Sequence, residues 1–273
     1  MSSVEGGGRP LTPDDDDGYL WGNHHSEEER RLRLLEGLAD ARSFRLLVEA
    51  GVTAGWHCAE LGAGGGSVAG WLSERVGPHG GVMAVDLDVR FLSPLSKRPN
   101  VKIVEADLAT LELASGSFDL VHTRNVLVHL RDPDDVVSKL IDAVRPGRVL
   151  LLEEPDYYPL AGTSSPLFAR VVAPLAKRLL WARRLPALLS GLPEISDISV
   201  FVETDMLQGG TPLAAFWAGT INSAAKAIIG ASVTTPELAP VSYTDITDVL
   251  DLLDDPSFWT PFVAVICVTA RKR

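Results

Sequence analysis

One stretch of eight residues, Glu60-Leu61-Gly62-Ala63-Gly64-Gly65-Gly66-Ser67, constrains the fold more than any other part of the chain. It ends an apolar run, Trp56–Leu61, that reads as a strand, and it opens Ser67–Val76, which has helical spacing. Glycine at a strand-to-helix turn lets the backbone come close to a ligand and leaves N–H groups of the helix N-terminus facing it. A tight turn by itself also asks for glycine, so the surroundings of the motif decide.

Those surroundings alternate. Gly81–Asp86, Val101–Glu105, Phe118–His122 and Arg148–Glu153 read as strands, with a weaker helix near Val89–Leu95 and a helix over Asp132–Val144. The strands are apolar on both sides, as expected where helices cover both faces of a parallel sheet, and right-handed crossovers would wind them into an open α/β sheet. Residues 26–50 have helical spacing, with a break expected near Asp40. Further on come a long helical stretch, Pro166–Leu189, a strand, Ile198–Thr204, more helix, Thr211–Ile229, and a last strand, Pro261–Thr269. That last strand follows another without a full crossover and is expected to pair antiparallel. With no repeat and no long linker, residues 19–273 read as a single domain. It comprises an N-terminal helical lid (19–50), a cofactor-binding core (51–156), and cap helices with the last two strands (157–273). Residues 1–18, with a glycine triplet and Asp14–Asp17, read as a disordered acidic tail.

Composition excludes several functions. The formal net charge is −11 and no basic stripe runs along the 273 residues, so no nucleic-acid partner is expected. No run approaches the roughly 18 apolar residues of a membrane span, and the first residues lack the apolar core of a secretory signal. Cys58 and Cys267 sit in apolar runs and make neither a disulfide framework nor a zinc site. A reduced, cytoplasmic protein is expected; a homo-oligomer is left open.

Three acids stand at consecutive strand ends: Glu60, Asp86 (20 residues after Gly66) and Asp107 in Val104-Glu105-Ala106-Asp107-Leu108. Asp86 is placed to take both hydroxyls of a ribose, and Asp107 to accept from the exocyclic amine of adenine. Each aspartate alone is also an ordinary cap or turn residue. A dinucleotide fingerprint wants a third small residue where this chain has Ser67, and the Glu60 carboxylate suits an ammonium or sulfonium better than a pyrophosphate. The electrostatics favour S-adenosylmethionine over NAD.

The ordered set Glu60–Gly66, Ala84-Val85-Asp86, Glu105-Ala106-Asp107, Phe118–His122 with Leu127–Leu130, and Val144-Arg145-Pro146-Gly147 resembles the motifs of class I S-adenosylmethionine-dependent methyltransferases. It is most similar to the small-molecule branch that includes the ubiquinone and menaquinone methyltransferases, and it covers roughly residues 19–156. The resemblance implies a Rossmann-like, seven-stranded, mostly parallel sheet with the last strand antiparallel, helices on both faces and helical cap insertions. It implies that Gly62, Ala63 and Gly64 pack against the cofactor, Asp86 with Leu87 holds the ribose, Asp107 with Leu108 lies at the adenine, and Thr123-Arg124-Asn125 reaches the methionine end. Two departures stand out. Arg148 replaces a glycine common in the family, which should affect the turn and not the chemistry. An Asn-Pro-Pro-Tyr-type motif is absent, which disfavours methylation of DNA bases or glutamine.

Methyl transfer is an in-line displacement, so holding the acceptor against the methyl group supplies most of the rate, and a base helps only if the acceptor loses a proton. His129 and Glu154 are the candidate catalytic residues. The alternatives are a helix histidine bonded to backbone and, for Glu153/Glu154, a strand end meeting water. Tyr19 and the following residues to His25 suit a lid over the cofactor, with no metal site expected. Phe168, Trp181, Phe216 and Trp217 belong either to the core or to the roof of an acceptor pocket. The expected activity is transfer of a methyl group from S-adenosylmethionine to a small organic acceptor, leaving S-adenosylhomocysteine. The rivals are a fold-related cyclase or cofactor-binding protein, and an NAD(P) oxidoreductase.

Overall fold

The computed structural model describes residues 25–157 and 162–273, apart from the side chains of residues 25–27 and 177–179. The expected tail, Tyr19 and the 19–24 part of the expected lid lie outside the described residues. Seven strands form one sheet: β1 (His57–Leu61), β2 (Gly81–Asp86), β3 (Val101–Glu105), β4 (Phe118–Arg124), β5 (Val144–Asp156), β6 (Ile195–Gln208) and β7 (Trp259–Lys272). Their order is β3-β2-β1-β4-β5-β7-β6. The pairs among β1 to β5 are parallel, and β7 runs antiparallel to both β5 and β6. This is the Rossmann-like, mostly parallel sheet that the strand pattern and the resemblance imply. β7 is not a simple return from β6, however. Helices α6 (Pro212–Ser223), α7 (Ala225–Thr234) and α8 (Tyr243–Asp254) lie between them, and α6 and α7 form part of the roof.

Period-two alternation divides the core. Val149 and Leu151 of β5 pack with Cys58, Val82, Ala84 and Leu120 against α1 (His25–Glu49) and α2 (Ser67–Val76). Leu150 and Leu152 face the other way, with Leu61, Val85 and Val121, toward α3 (Pro133–Ala143) and the C-terminal helices. Arg148 pairs with Asp119 at 3.0 Å and lies over the Trp56 ring, at the opposite end of the strand from the acids.

Several boundaries differ from expectation. α1 runs unbroken through Asp40, because that carboxylate is held by Arg124 and Ser67 instead of ending the helix. The stretch 166–189 divides into α4 (Pro166–Leu179), a 3₁₀ turn at Ala182–Arg184 and α5 (Leu185–Ser190). Pro186 in the first turn of α5 cannot continue a helix from before it, and Arg183 turns to grip Asp156 at 2.8 and 2.9 Å. The segment near Val89–Leu95 is a 3₁₀ helix, Val89–Lys97. α8 was not expected, although its Ser242/Asp245 capping box is a start signal.

Candidate active site

The glycine turn between β1 and α2 is built for close approach. Gly62, Gly64 and Gly66 have φ of 76°, 55° and 89°, where a side chain is strained, and a Cβ on Gly62 would lie 2.1 Å from Val126 Cγ2. Most amides of the turn are already used: Gly62 and Ala63 donate to Val85 O, Gly64 to Asp86 Oδ2 at 2.7 Å, and Ser67 to Glu36 Oε1 at 3.1 Å. The expectation that helix N-terminal amides stand open to a ligand is therefore corrected. Glu36 and Asp40 of α1 occupy the place where a dinucleotide's pyrophosphate would need positive potential.

Asp86 accepts from the Gly64 and Asp88 amides, and burial pushes its carboxyl up from the ordinary value despite those bonds. With the Leu87 amide as a further donor, the two oxygens still keep acceptor capacity for a hydroxyl. Asp107 is exposed, and its Oδ1 accepts the Ala109 amide at 2.8 Å. It is a turn residue and still lines the cavity. Leu87 is 53 % exposed at the rim while Leu108 is buried, an arrangement that suits a flat base laid between them.

On the α1 face of the sheet the charges form a buried relay. Glu60 Oε2 meets His122 Nδ1 at 2.5 Å, His122 Nε2 meets Glu153 Oε1 at 3.0 Å, and Glu153 Oε2 accepts from Arg42 at 3.0 Å. Burial works against a charged His122, but the Glu60 and Glu153 carboxylates outweigh it and raise its pKa to about 9. Burial likewise works against an ionised Glu153, which His122 and Arg42 hold down at about 2. Glu60 thus lines the cavity wall with the His122 imidazole bonded to it from behind. His122, Arg42, Glu36 and Asp40 were not anticipated. A histidine and two glutamates inside apolar strands require partners, and that was the available signal.

Glu153 and Glu154 are fully buried, so neither is a strand end meeting water. Adjacent in sequence, they face opposite sides of the sheet. Glu154 is not in the cavity wall, and its expected catalytic role is corrected. Its oxygens accept from the Val126, Leu127 and Val128 amides at 3.0–3.3 Å and from Thr123 Oγ1. Burial raises its pKa to about 7. Thr123 is likewise buried behind the wall and does not line the cavity. Glu154 instead positions the loop carrying His129, which does line it. Arg124 reaches the wall, held by Asp40 at 2.9 Å and Ser43 at 3.0 Å. Asn125 does so with φ of 58°, the left-handed conformation that asparagine tolerates.

A cavity of about 850 Å³ joins these groups to the roof, within the 300–1,000 Å³ typical of small-molecule sites. At one end lie Glu60, Gly62, Ala63, Gly64, Asp86, Leu87, Asp107 and Leu108 under Arg31, Leu32, Leu35 and Glu36 of α1. At the other lie Tyr157, Leu175 of α4, Phe216 and Trp217 of α6, Ile228 of α7 and Phe262 of β7. Trp217 is 1 % exposed and also in the wall, so it belongs to core and roof together, whereas Phe168 is core alone. Among the described residues no group of three or more potential ligands could hold a metal, and Glu153, Glu154 and Asp156 are committed to three different partners.

An open sheet of this order with its last strand antiparallel, a glycine turn after β1 and acids at the ends of β1 and β2 and just past β3 defines the class I S-adenosylmethionine-dependent methyltransferase fold. Residues 59–152 match the family model described as a methyltransferase domain. Methyltransferase str2 of Strobilurus tenacellus is 32% identical over 101 residues, 36% of this chain and 35% of that protein. The chain thus spans about a third of the length of this curated relative. Haemonchus contortus phosphoethanolamine N-methyltransferase 2, solved with phosphomonomethylethanolamine and S-adenosylhomocysteine, superposes with a TM-score of 0.57 at 18% identity, covering 89% of this chain and 57% of that one. The (4+2)-cyclase SpnF superposes at 0.51 with 16% identity, covering 85% and 80%. At these identities the likeness is one of fold.

Proposed function

We propose that the chain binds S-adenosylmethionine in the glycine-lined half of the cavity and transfers its methyl group to a small organic acceptor held under α4, α6 and α7. The observation that carries this reading is the continuity of a polar, acid-lined end with an apolar, aromatic-walled end in one cavity of suitable size. The cofactor supplies an electrophilic methyl group on a sulfonium. Asp86 takes the ribose hydroxyls, Asp107 the adenine amine, and Leu87 and Leu108 the faces of the base. Glu60, bonded from behind by His122, faces the cationic end of the cofactor, with Arg124 and Asn125 beside it. His129, on the loop that Glu154 braces, takes the proton where the acceptor is an O–H or N–H. Among the described residues no helix is long and apolar enough to cross a membrane.

The test is incubation with methyl-labelled S-adenosylmethionine and a panel of phenols, enols, amines and carboxylates, reading S-adenosylhomocysteine release and label transfer. Turnover with at least one acceptor, reduced at least tenfold in His129→Ala with cofactor affinity unchanged, is expected. Conversion of an acceptor without S-adenosylhomocysteine release would favour a cyclase instead.

A further inference from the structure

Two polar groups in the wall of the apolar end have no partner. Trp217 Nε1 and Thr220 Oγ1 are buried and make no hydrogen bond, and both residues line the cavity. They stand three apart on α6, hence on one face. Among the described residues the one other such atom is Arg170 Nε, and that guanidinium is already paired with Asp245 through Nη2. Helix hydroxyls commonly bond the carbonyl four residues back, as Ser43, Ser138, Thr234 and Thr247 do here. Thr220 does not bond Phe216 O. Trp181 Nε1 donates to Asp134 at 2.6 Å, whereas Trp217 Nε1 donates to nothing. The Trp217 indole cannot turn freely to find a partner, because it is wedged edge-on between Tyr157 (5.4 Å, 83°) and Phe262 (5.7 Å, 77°). A buried donor without a partner is destabilising, and a pair of them on one cavity-facing stripe asks for an explanation.

We infer that Trp217 and Thr220 are an acceptor-recognition pair: an oxygen of the bound acceptor completes both hydrogen bonds. The indole N–H is only a donor, so the ligand must present a lone pair, on a carbonyl, ether or hydroxyl oxygen. The part of the ligand beside the pair must be apolar, whereas Glu203, Asp205, Arg131 and Asp132 also line the cavity. Leu175, Leu213, Phe216, Ile228 and Phe262 form the surrounding wall, and among the described residues α4, α6 and α7 bring no charged side chain to it. Arg31, Arg42 and Arg124, at the cofactor end, are each held by an acid: Glu28, Glu153 and Asp40 respectively. The acceptor class is therefore a compound that presents an oxygen lone pair on a lipophilic face, such as a polycyclic ketone or phenol. This inference rests on the proposed methyltransferase function and specifies its substrate.

The test uses the full chain saturated with S-adenosylhomocysteine and three probes of one shape: naphthalene, 2-naphthol and 2-acetylnaphthalene. The wild-type protein should bind the two oxygenated probes about tenfold more tightly than naphthalene, the size expected for hydrogen bonds to previously unpaired buried groups. Thr220→Val and Trp217→Phe should each shrink that preference at least threefold, with S-adenosylhomocysteine affinity unchanged. Without ligand, Thr220→Val should melt no lower than wild type, since it removes an unpaired hydroxyl and fills the same space. An undiminished preference in both variants, no preference in the wild type, or no binding of any probe would overturn the inference while the cofactor assignment stands. Failure of S-adenosylhomocysteine itself to bind would instead overturn the reading beneath it.

Discussion

The two ends of the cavity are made in different ways. The cofactor end is polar and assembled from strand ends a few residues long, where each functional group follows a strand: Glu60 on β1, Asp86 on β2, Asp107 just past β3. The acceptor end is apolar and assembled from α4, α6, α7 and β7, which are far apart in sequence. Its wall residues are indistinguishable by type from core. A site whose geometry is set by backbone turns leaves a local pattern of glycines and acids. A site whose geometry is set by helix packing leaves only hydrophobic periodicity.

The largest expected effect falls on the glycine turn. Gly62→Val would place a branched side chain at φ 76° and 2.1 Å from Val126 Cγ2. A cost of about 3–5 kcal/mol in stability follows from overpacking and backbone strain together, with cofactor binding lost. Thermal melts and calorimetry check both; a folded variant with normal affinity would remove the cradle from the account.

Next is Glu154. Ala in its place leaves three amides without their acceptor, a loss of about 3 kcal/mol, whereas Gln keeps one acceptor oxygen and should lose about 1 kcal/mol. Denaturant titration separates the two. If His129 works from the loop that Glu154 braces, kcat should fall in Glu154→Ala even at temperatures where the variant is fully folded.

The relay predicts a smaller, pH-dependent effect. Glu153 is held below its ordinary 4.5, so its contribution is present above that pH and is lost as pH falls toward 2. His122 is raised above its ordinary 6.5, so its contribution is full below that pH and is lost as pH rises through about 9. Melting temperature should be flat with respect to this relay between about 4.5 and 6.5 and decline toward pH 9. His122→Gln should flatten the alkaline limb; an unchanged limb would mean that the imidazole is not charged. The smallest effect expected is none: chelation with EDTA should leave turnover unaltered, since the acids at the end of β5 are engaged elsewhere. Loss on chelation, restored by magnesium, would contradict that.

The contrast also explains how far the sequence could be read. The positions of the glycine turn, of Asp86 and Asp107 and of the first five strands along the chain were readable because each is a local signal. The antiparallel last strand was anticipated on the wrong ground, since three helices intervene before it. Asp40 looked like a helix break because an acid inside an apolar period has no local explanation; its partners, Arg124 and Ser67, are distant in sequence. Glu153 and Glu154 looked like one acidic patch, although the pleat sends them to opposite faces. Trp217 was readable as core or roof, but its pairing with Thr220 left no sequence signal, because an unmet hydrogen bond exists only in three dimensions.

The most direct test of the central claim, a sulfonium cofactor held by Asp86 on a turn closed to pyrophosphate, is titration calorimetry of S-adenosylhomocysteine and NAD⁺ against wild type and Asp86→Ala. S-adenosylhomocysteine should bind the wild type with micromolar affinity, on the order of −8 kcal/mol. Asp86→Ala should weaken it by about 2–4 kcal/mol through loss of charge-assisted hydrogen bonds, and NAD⁺ should give no heat with either protein. Binding of NAD⁺, or equal affinity of both proteins for S-adenosylhomocysteine, would contradict the account.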